Sequence, residues 1–272
     1  MITSRQHPLI KQLIKLEESA HYRKKTQLTI LDGLHLIQAY HATKGLPEHL
    51  IVSASYHERS DPPKNWHTLF GETLPTMTVV SDSLMRAVSP VKTPTGILAL
   101  IVNPVAEKNR DRGSEHHIVL LEAIQDPGNL GSILRSAAAA NVDSVYLSQD
   151  CCDAWSPKTL RAGMGAHFSL DIFENSDLIE VSEHFPGKVI ATALHATENL
   201  FEISLHGPTA WVFGNEGNGL SLEILQQSDS IIKIPMPGET ESLNVAACAA
   251  ICLFEKVRQN YPTQTDKIGT KP

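Results

Sequence analysis

The sequence contains no apolar run approaching the roughly 20 residues that cross a bilayer as a helix. Its first residues are broken by Arg5, His7 and Lys11, so they lack the continuous core of a secretory signal. A cytoplasmic protein with no membrane partner is therefore expected. Cysteine is scarce, with four in 272 residues: the adjacent Cys151 and Cys152, then Cys248 and Cys252 on one face of an expected helix. Neither pair has the CxxC spacing of a zinc ribbon, and a disulfide between neighbours is strained, which leaves packed, reduced thiols and no expected metal site. The thirteen histidines are dispersed except for His116-His117. Positive charge is short too. A formal net charge of -7 excludes a protein that coats nucleic acid nonspecifically, because phosphate binding needs concentrated Lys and Arg. Internal repeats and low-complexity tracts are absent, which leaves ordinary globular domains.

One basic concentration is present. Residues 1–31 hold Arg5, Lys11, Lys15, Arg23, Lys24 and Lys25 against Glu17 and Glu18, which suits either a solvated helix face or an RNA contact. The chain is long enough for two domains, and residues 103–116 mark the division, since Pro104, Gly113 and a mixed-charge run from Glu107 to Glu115 cannot bury a core. The organisation expected is a first domain over 1–102, the linker over 103–116, a second domain over 117–262 and a flexible polar tail over 263–272. In the first, strand-like runs at Leu28–Leu31, Leu50–Val52, Thr78–Val80 and Ile97–Val102 alternate with helical patterns at Leu9–Leu16, Leu34–Ala42 and Ser83–Val88. In the second, runs at His117–Leu121, Val145–Leu147, Val189–Ala193, Trp211–Phe213 and Ile231–Ile234 alternate with helices at Leu130–Ala140, Leu222–Gln227 and Ser242–Arg258. A turn at Asp126-Pro127-Gly128-Asn129 precedes the first of those helices. Both domains read as α/β, and strand-loop-helix units place ligands at the carboxyl ends of parallel strands.

Three loops fall at such ends: Gly128-Asn129-Leu130-Gly131 through Arg135; Gly214-Asn215-Glu216-Gly217-Asn218-Gly219-Leu220-Ser221; and Ile234-Pro235-Met236-Pro237-Gly238 through Ser242-Leu243-Asn244-Val245. Gly214, Gly217 and Gly219 allow close ligand approach and positive φ, although a plain tight turn needs as much. Their order reverses the dinucleotide-binding GxGxxG, which argues against a nucleotide-dependent oxidoreductase. Arg135 lies at the border of the inward stripe Leu130, Ile133, Leu134, Ala137 and Ala138, free to face a cleft. Ser242 reads as the N-cap of the helix that starts at Leu243. Glu216 either favours the dipole of the next helix or orients Asn129 or Arg135.

In that order and separation the three stretches resemble the signature motifs of the SpoU (TrmH-like) branch of the SPOUT RNA methyltransferases, across roughly the second half of the chain. The first half is similar, less strongly, to the small L30e-like substrate-binding domain of some members. The resemblance implies S-adenosylmethionine held by Gly214, Gly219, Ile234, Met236 and Leu243, and a catalytic set of Asn129, Arg135, Glu216, Ser242 and Asn244. It also implies a deep trefoil knot near the C-terminal end and a homodimer. The implied reaction is methylation of a ribose 2′-hydroxyl in structured RNA, ribosomal RNA in preference to transfer RNA, with no DNA partner. Asp153, Pro157-Lys158, Arg161-Ala162 and Met164-Gly165 match the family too, with Lys158 and Arg161 as candidate RNA contacts, while Asp32-Gly33 departs mildly from its Glu-Gly. A guanidinium stays protonated and is a poor base, so two readings of Arg135 remain open: a base with a lowered pKa, or a grip on the adjacent phosphate. A transfer RNA methyltransferase and a catalytically silent RNA-binding or ribosome-assembly factor also remain open.

Overall fold

The computed structural model describes residues 1–58, 66–91, 93–104 and 115–261. The tail over 263–272 and most of the linker lie outside the described residues. The linker's described ends are ordered. Asn103 donates its N–H to the Gln27 carbonyl, and the buried Glu115 carboxylate accepts from the hydroxyls of Ser144 and Tyr146.

The chain forms two compact units. The first contains α1 (Pro8–Glu18), α2 (Ala20–Thr26), β1 (Leu28–Asp32), α3 (Leu34–Lys44), β2 (His49–Ser53), α4 (Ala54–Glu58), α5 (Trp66–Phe70), β3 (Thr76–Val80), α6 (Asp82–Val88) and β4 (Ile97–Val102). Its sheet order is β1-β4-β2-β3, with β4 antiparallel to both neighbours and β2 parallel to β3. Helices α1 and α6 bury Ile10, Leu13, Leu16, Leu84, Met85 and Val88 against Ile30, Ile51 and Leu98 of the sheet.

This unit also takes in Asp153–Ser169, which carries α8 (Pro157–Gly163) and which the division at 103–116 assigns to the second domain. A buried ion pair accounts for the difference. Arg23, 5% exposed, donates from Nε to Asp153 at 2.7 Å and from Nη1 to the Leu16 and Glu17 carbonyls at 2.5 and 3.0 Å. The Thr29 hydroxyl donates to the Trp155 carbonyl at 2.7 Å. A guanidinium with its donors satisfied tolerates burial, and losing either partner strands a charge. Arg23 therefore leaves the set of exposed N-terminal cations, whereas Arg5, Lys11, Lys15, Lys24 and Lys25 remain exposed.

The second unit contains β5 (His117–Leu121), α7 (Pro127–Ala139), β6 (Ser144–Leu147), β7 (Asp171–Phe173), α9 (Leu178–His184), β8 (Lys188–Thr192), β9 (Glu198–Asn199), β10 (Thr209–Phe213), α10 (Leu222–Gln227), β11 (Ser230–Lys233) and α11 (Val245–Asn260). Its seven-stranded sheet runs β7-β6-β5-β10-β8-β11-β9 and every pairing is parallel. β5, β6 and β10 are buried along their whole length, which is why they read as continuous apolar runs. The edges are blunted by the short β7 and β9. From β5 the chain builds outward through β6 and β7, then crosses to the far side of β10. This reversal between β5 and β10 opens a crevice at the carboxyl ends of the strands.

Two buried histidines give the fold a pH dependence. Desolvation lowers His117 to about 4, with the Lys256 charge adding to the effect, and lowers His167 to about 4 against the Ala154 carbonyl bond. An unfolded imidazole binds its proton near 6.5, so both contributions are complete above that pH and are lost as pH falls towards 4. Each is worth roughly 3 kcal/mol. Urea unfolding at pH 7 and pH 4.5 should show the midpoint falling sharply at the lower pH; equal midpoints would mean that the two rings are protonated in the native state.

Candidate functional site

The first loop begins in Asp126, whose carboxylate accepts from Asn129 N–H at 2.8 Å and caps α7. The helix starts at Pro127, so the residues expected as a turn form its first turn, the position where proline's missing N–H costs nothing. Asn129 is thereby fixed beside the cap.

Glu216, in the loop after β10, is the hub. Its carboxylate accepts from Asn129 Nδ2 at 3.0 Å and from the N–H groups of Gln125 and Asp126, both at 3.2 Å. Desolvation works to raise its pKa, but the bonds donated by Asn129, Gln125 and Asp126 outweigh it, and the net shift is downward. An ionised carboxylate only accepts, which orients the whole chain of amides. Asn129 turns Nδ2 to Glu216 and leaves Oδ1 for Asn244, whose Nδ2 donates at 2.9 Å. Asn244 Oδ1 in turn accepts from Ala246 and Ala247 N–H at 2.9 and 3.3 Å. Asn244, rather than Ser242, is therefore the N-cap of α11, which begins at Val245. Both residue types cap well, and the one whose amide also reaches Asn129 takes the position.

Glycine is required in the second loop for two separate reasons. A Cβ at Gly214 would lie 2.4 Å from the backbone of Gly219, and Gly219 itself has φ +71°. Asn215 and Gly219 exchange both backbone bonds at 3.0 Å, closing the loop, while Asn215 Oδ1 accepts from Gly217 and Asn218. Positive φ, expected at all three glycines, occurs at Gly219 alone among them.

The second loop and the stretch from Ile234 to Leu243 bound a cavity of about 550 Å³, within the roughly 300–1,000 Å³ usual for small-molecule sites. Gly214, Gly219, Ile234, Met236 and Leu243 all line it, as do Glu216 and Ser242. Asn129 and Asn244 do not line it, and they join it through Glu216. Arg135 stands apart, exposed on α7 with no hydrogen bond or ion pair to a described residue. Lys158 and Arg161 are exposed on α8, in the first unit.

The sequence did not point to Thr192 at the end of β8, to Ala193 and Leu194 after it, nor to Lys233, all of which line the cavity. No motif marks them; a loop at the end of a strand beside the crevice was the available signal. Cys248, read as a packing residue, also lines the cavity, while Cys252 below it is fully buried and its thiol is pushed well up by desolvation.

Fold and loops define an α/β protein with a cavity of small-molecule size beside its parallel sheet. The family model described as the SpoU rRNA Methylase family matches residues 116–254, and that described as an MRM3-like substrate binding domain matches residues 7–99. The chain belongs to the SpoU rRNA methylase family. It is 34% identical over 267 residues to an uncharacterised tRNA/rRNA methyltransferase of Synechocystis sp., covering 97% of this chain and 96% of that one. It is 30% identical over 234 residues to the 23S rRNA (guanosine(2553)-2′-O)-methyltransferase of Bacillus subtilis, covering 85% and 89%. The fold is shared with an AdoMet-bound rRNA methyltransferase from Sinorhizobium meliloti, with a TM-score of 0.82 at 24% identity, over 96% of this chain and 98% of that one.

Proposed function

We propose that this protein methylates a ribose 2′-hydroxyl in structured ribosomal RNA, with S-adenosylmethionine as methyl donor. The observation that carries the reading is the Glu216–Asn129–Asn244 network anchored at the rim of a cavity lined by Gly214, Gly219, Ile234, Met236 and Leu243. The donor fits these residues: apolar Ile234, Met236 and Leu243 suit a purine ring, and the absence of a side chain at Gly214 lets the Gly219 and Leu220 backbone close the loop that walls the cavity. When bound, it supplies a methyl group activated on a sulfonium.

The chain's own residues align the acceptor. Transfer to a hydroxyl is an in-line displacement, so fixing the nucleophile removes much of the barrier. Glu216 holds Asn129, which in turn holds Asn244, and Ser242 adds a hydroxyl at the cavity edge. Arg135 faces outward from the same helix as Asn129, where its guanidinium fork meets the sugar-phosphate backbone. The ribosomal preference follows the name of the Bacillus subtilis relative and the matched substrate-binding domain. Lys11, Lys15, Lys24 and Lys25, with Lys158 and Arg161 on the same unit, are the RNA contacts in this reading.

Three further elements belong to it. β11 lies next to the edge strand β9, and the helix that follows it, α11, packs back on α7 and β10, an order that suits the deep trefoil knot. The exposed Phe254 of α11 and the small exposed residues Gly128, Ser132 and Ala139 of α7, the helix on which α11 packs, suit a homodimer interface. A cytoplasmic location accords with a ribosomal RNA substrate, and no helix among the described residues is long and apolar enough to cross a membrane.

Calorimetry with S-adenosylhomocysteine tests the donor, and Leu243→Asp tests the pocket. Leu243 is 38% exposed, so the fold should survive, and a carboxylate against the purine should weaken binding by about tenfold or more. Undiminished affinity in the folded variant would place Leu243 outside the pocket.

A further inference from the structure

We propose that Lys233 binds the α-carboxylate of the methyl donor, an assignment that rests on the S-adenosylmethionine reading above. Glu216 and Lys233 are the two charged residues lining the cavity. The Glu216 carboxylate is already occupied by Asn129 and by the N–H groups of Gln125 and Asp126. The Lys233 side chain makes no hydrogen bond or ion pair with a described residue, and the residue is exposed. Its backbone is held in place all the same. Lys233 ends β11 opposite Asn199 of β9, and its carbonyl accepts from Leu200 N–H at 3.0 Å. Ile232 and Ile234 on either side line the same cavity, so the main chain here runs along its wall.

The ligand decides what an uncommitted lysine at this wall is for. S-adenosylmethionine carries one anionic group, the carboxylate of its amino-acid end, and leaving that group against an apolar surface without a cation is unfavourable. Lysine offers a compact charge with three donors on a flexible stem, which suits a carboxylate at the mouth of a cavity. The apolar residues take the purine, and the flexible Lys233 stem, which starts beside Ile234, carries its ammonium away from the purine to the carboxylate. Lys233 is thus a binding residue that sets affinity for the amino-acid end of the donor.

The test compares two ligands by calorimetry: S-adenosylhomocysteine, and S-adenosyl-3-thiopropylamine, the same molecule without its carboxylate. Lys233→Ala should weaken S-adenosylhomocysteine about tenfold and leave the amine unchanged or slightly tighter, and Lys233→Arg should keep most of the affinity. Equal losses for both ligands would mean that Lys233 shapes the cavity without reading the carboxylate, and would overturn the assignment. Unchanged affinity for S-adenosylhomocysteine, with weakened RNA binding in Lys233→Ala, would give the ammonium to an RNA phosphate and overturn it as well. If the unaltered protein binds neither ligand, the donor reading fails and takes this assignment with it; binding by the unaltered protein without discrimination by the variants removes the Lys233 assignment alone.

Discussion

Replacing Arg135 with alanine should lower methyl transfer by roughly 10³-fold while leaving S-adenosylhomocysteine affinity within about twofold, the scale seen when one charge-stabilising donor is removed from an active site. Arg135 is exposed on α7 and bonded to no described residue, so its loss removes nothing that holds the fold, and stability should change by no more than about 0.5 kcal/mol. It is also outside the set of residues lining the cavity. The damage should fall on kcat and on RNA affinity together, because the guanidinium acts on the acceptor side. Arg135→Lys should recover little, since an ammonium keeps the charge and loses the planar fork. The pH dependence of turnover separates the two roles left open for this residue. A proton acceptor at this position gives a rate that rises with pH and a profile that changes shape in Arg135→Lys, whereas a phosphate grip leaves the shape of the profile unchanged. Turnover unchanged in folded Arg135→Ala would remove the residue from the reaction.

The part of this architecture legible in the sequence is the part that local pattern dictates. β4, β5 and α10 occur at the residues where pattern places them, because Ile97–Val102 and His117–Leu121 are unbroken apolar runs and Leu222–Gln227 is capped by Ser221. β9, with two residues, is too short to carry a pattern of its own, and only its partner β11 defines it. The placement of Asp153–Ser169 depends on Arg23 finding Asp153, 130 positions away, and nothing local encodes that pairing. A fragment cut at the linker would leave the apolar Trp155, Leu160 and Phe168 of this segment without the unit that buries them. The site divides in the same way. Motif spacing brings out the glycine loop and the amides of the network, but the choice of Asn244 over Ser242 as cap turns on a tertiary bond to Asn129. The loop after β8 and Lys233 carry no side-chain signature, and only the assembled cavity identifies them.

An RNA with 2′-deoxyribose at the single target nucleotide should bind and accept no methyl group. The geometry around Asn129 bears on this. Its amide is fixed between Glu216 and Asn244, and Arg135 projects from the same helix, an arrangement of donors suited to a sugar and its phosphate. Methylation of a pyrimidine ring carbon uses a nucleophile such as a cysteine thiolate, and the cavity's Cys248 stands in α11 above the buried Cys252. Transfer to the ribose would form the bond from the 2′-oxygen to the donor's methyl carbon as that carbon's bond to sulfur breaks, with the hydroxyl proton passing to solvent water. Deoxyribose removes that oxygen and nothing else, so phosphate contacts, base contacts and shape recognition stay in place. Once the nucleotide is mapped by comparing cellular RNA with and without the protein, affinity for the deoxy substrate should match the ribose substrate within a few-fold, and turnover should fall below detection. Methylation of the deoxy substrate at that nucleotide would show a base atom as acceptor, and the positioning by Arg135 and Asn129 would then act on the base instead of the sugar.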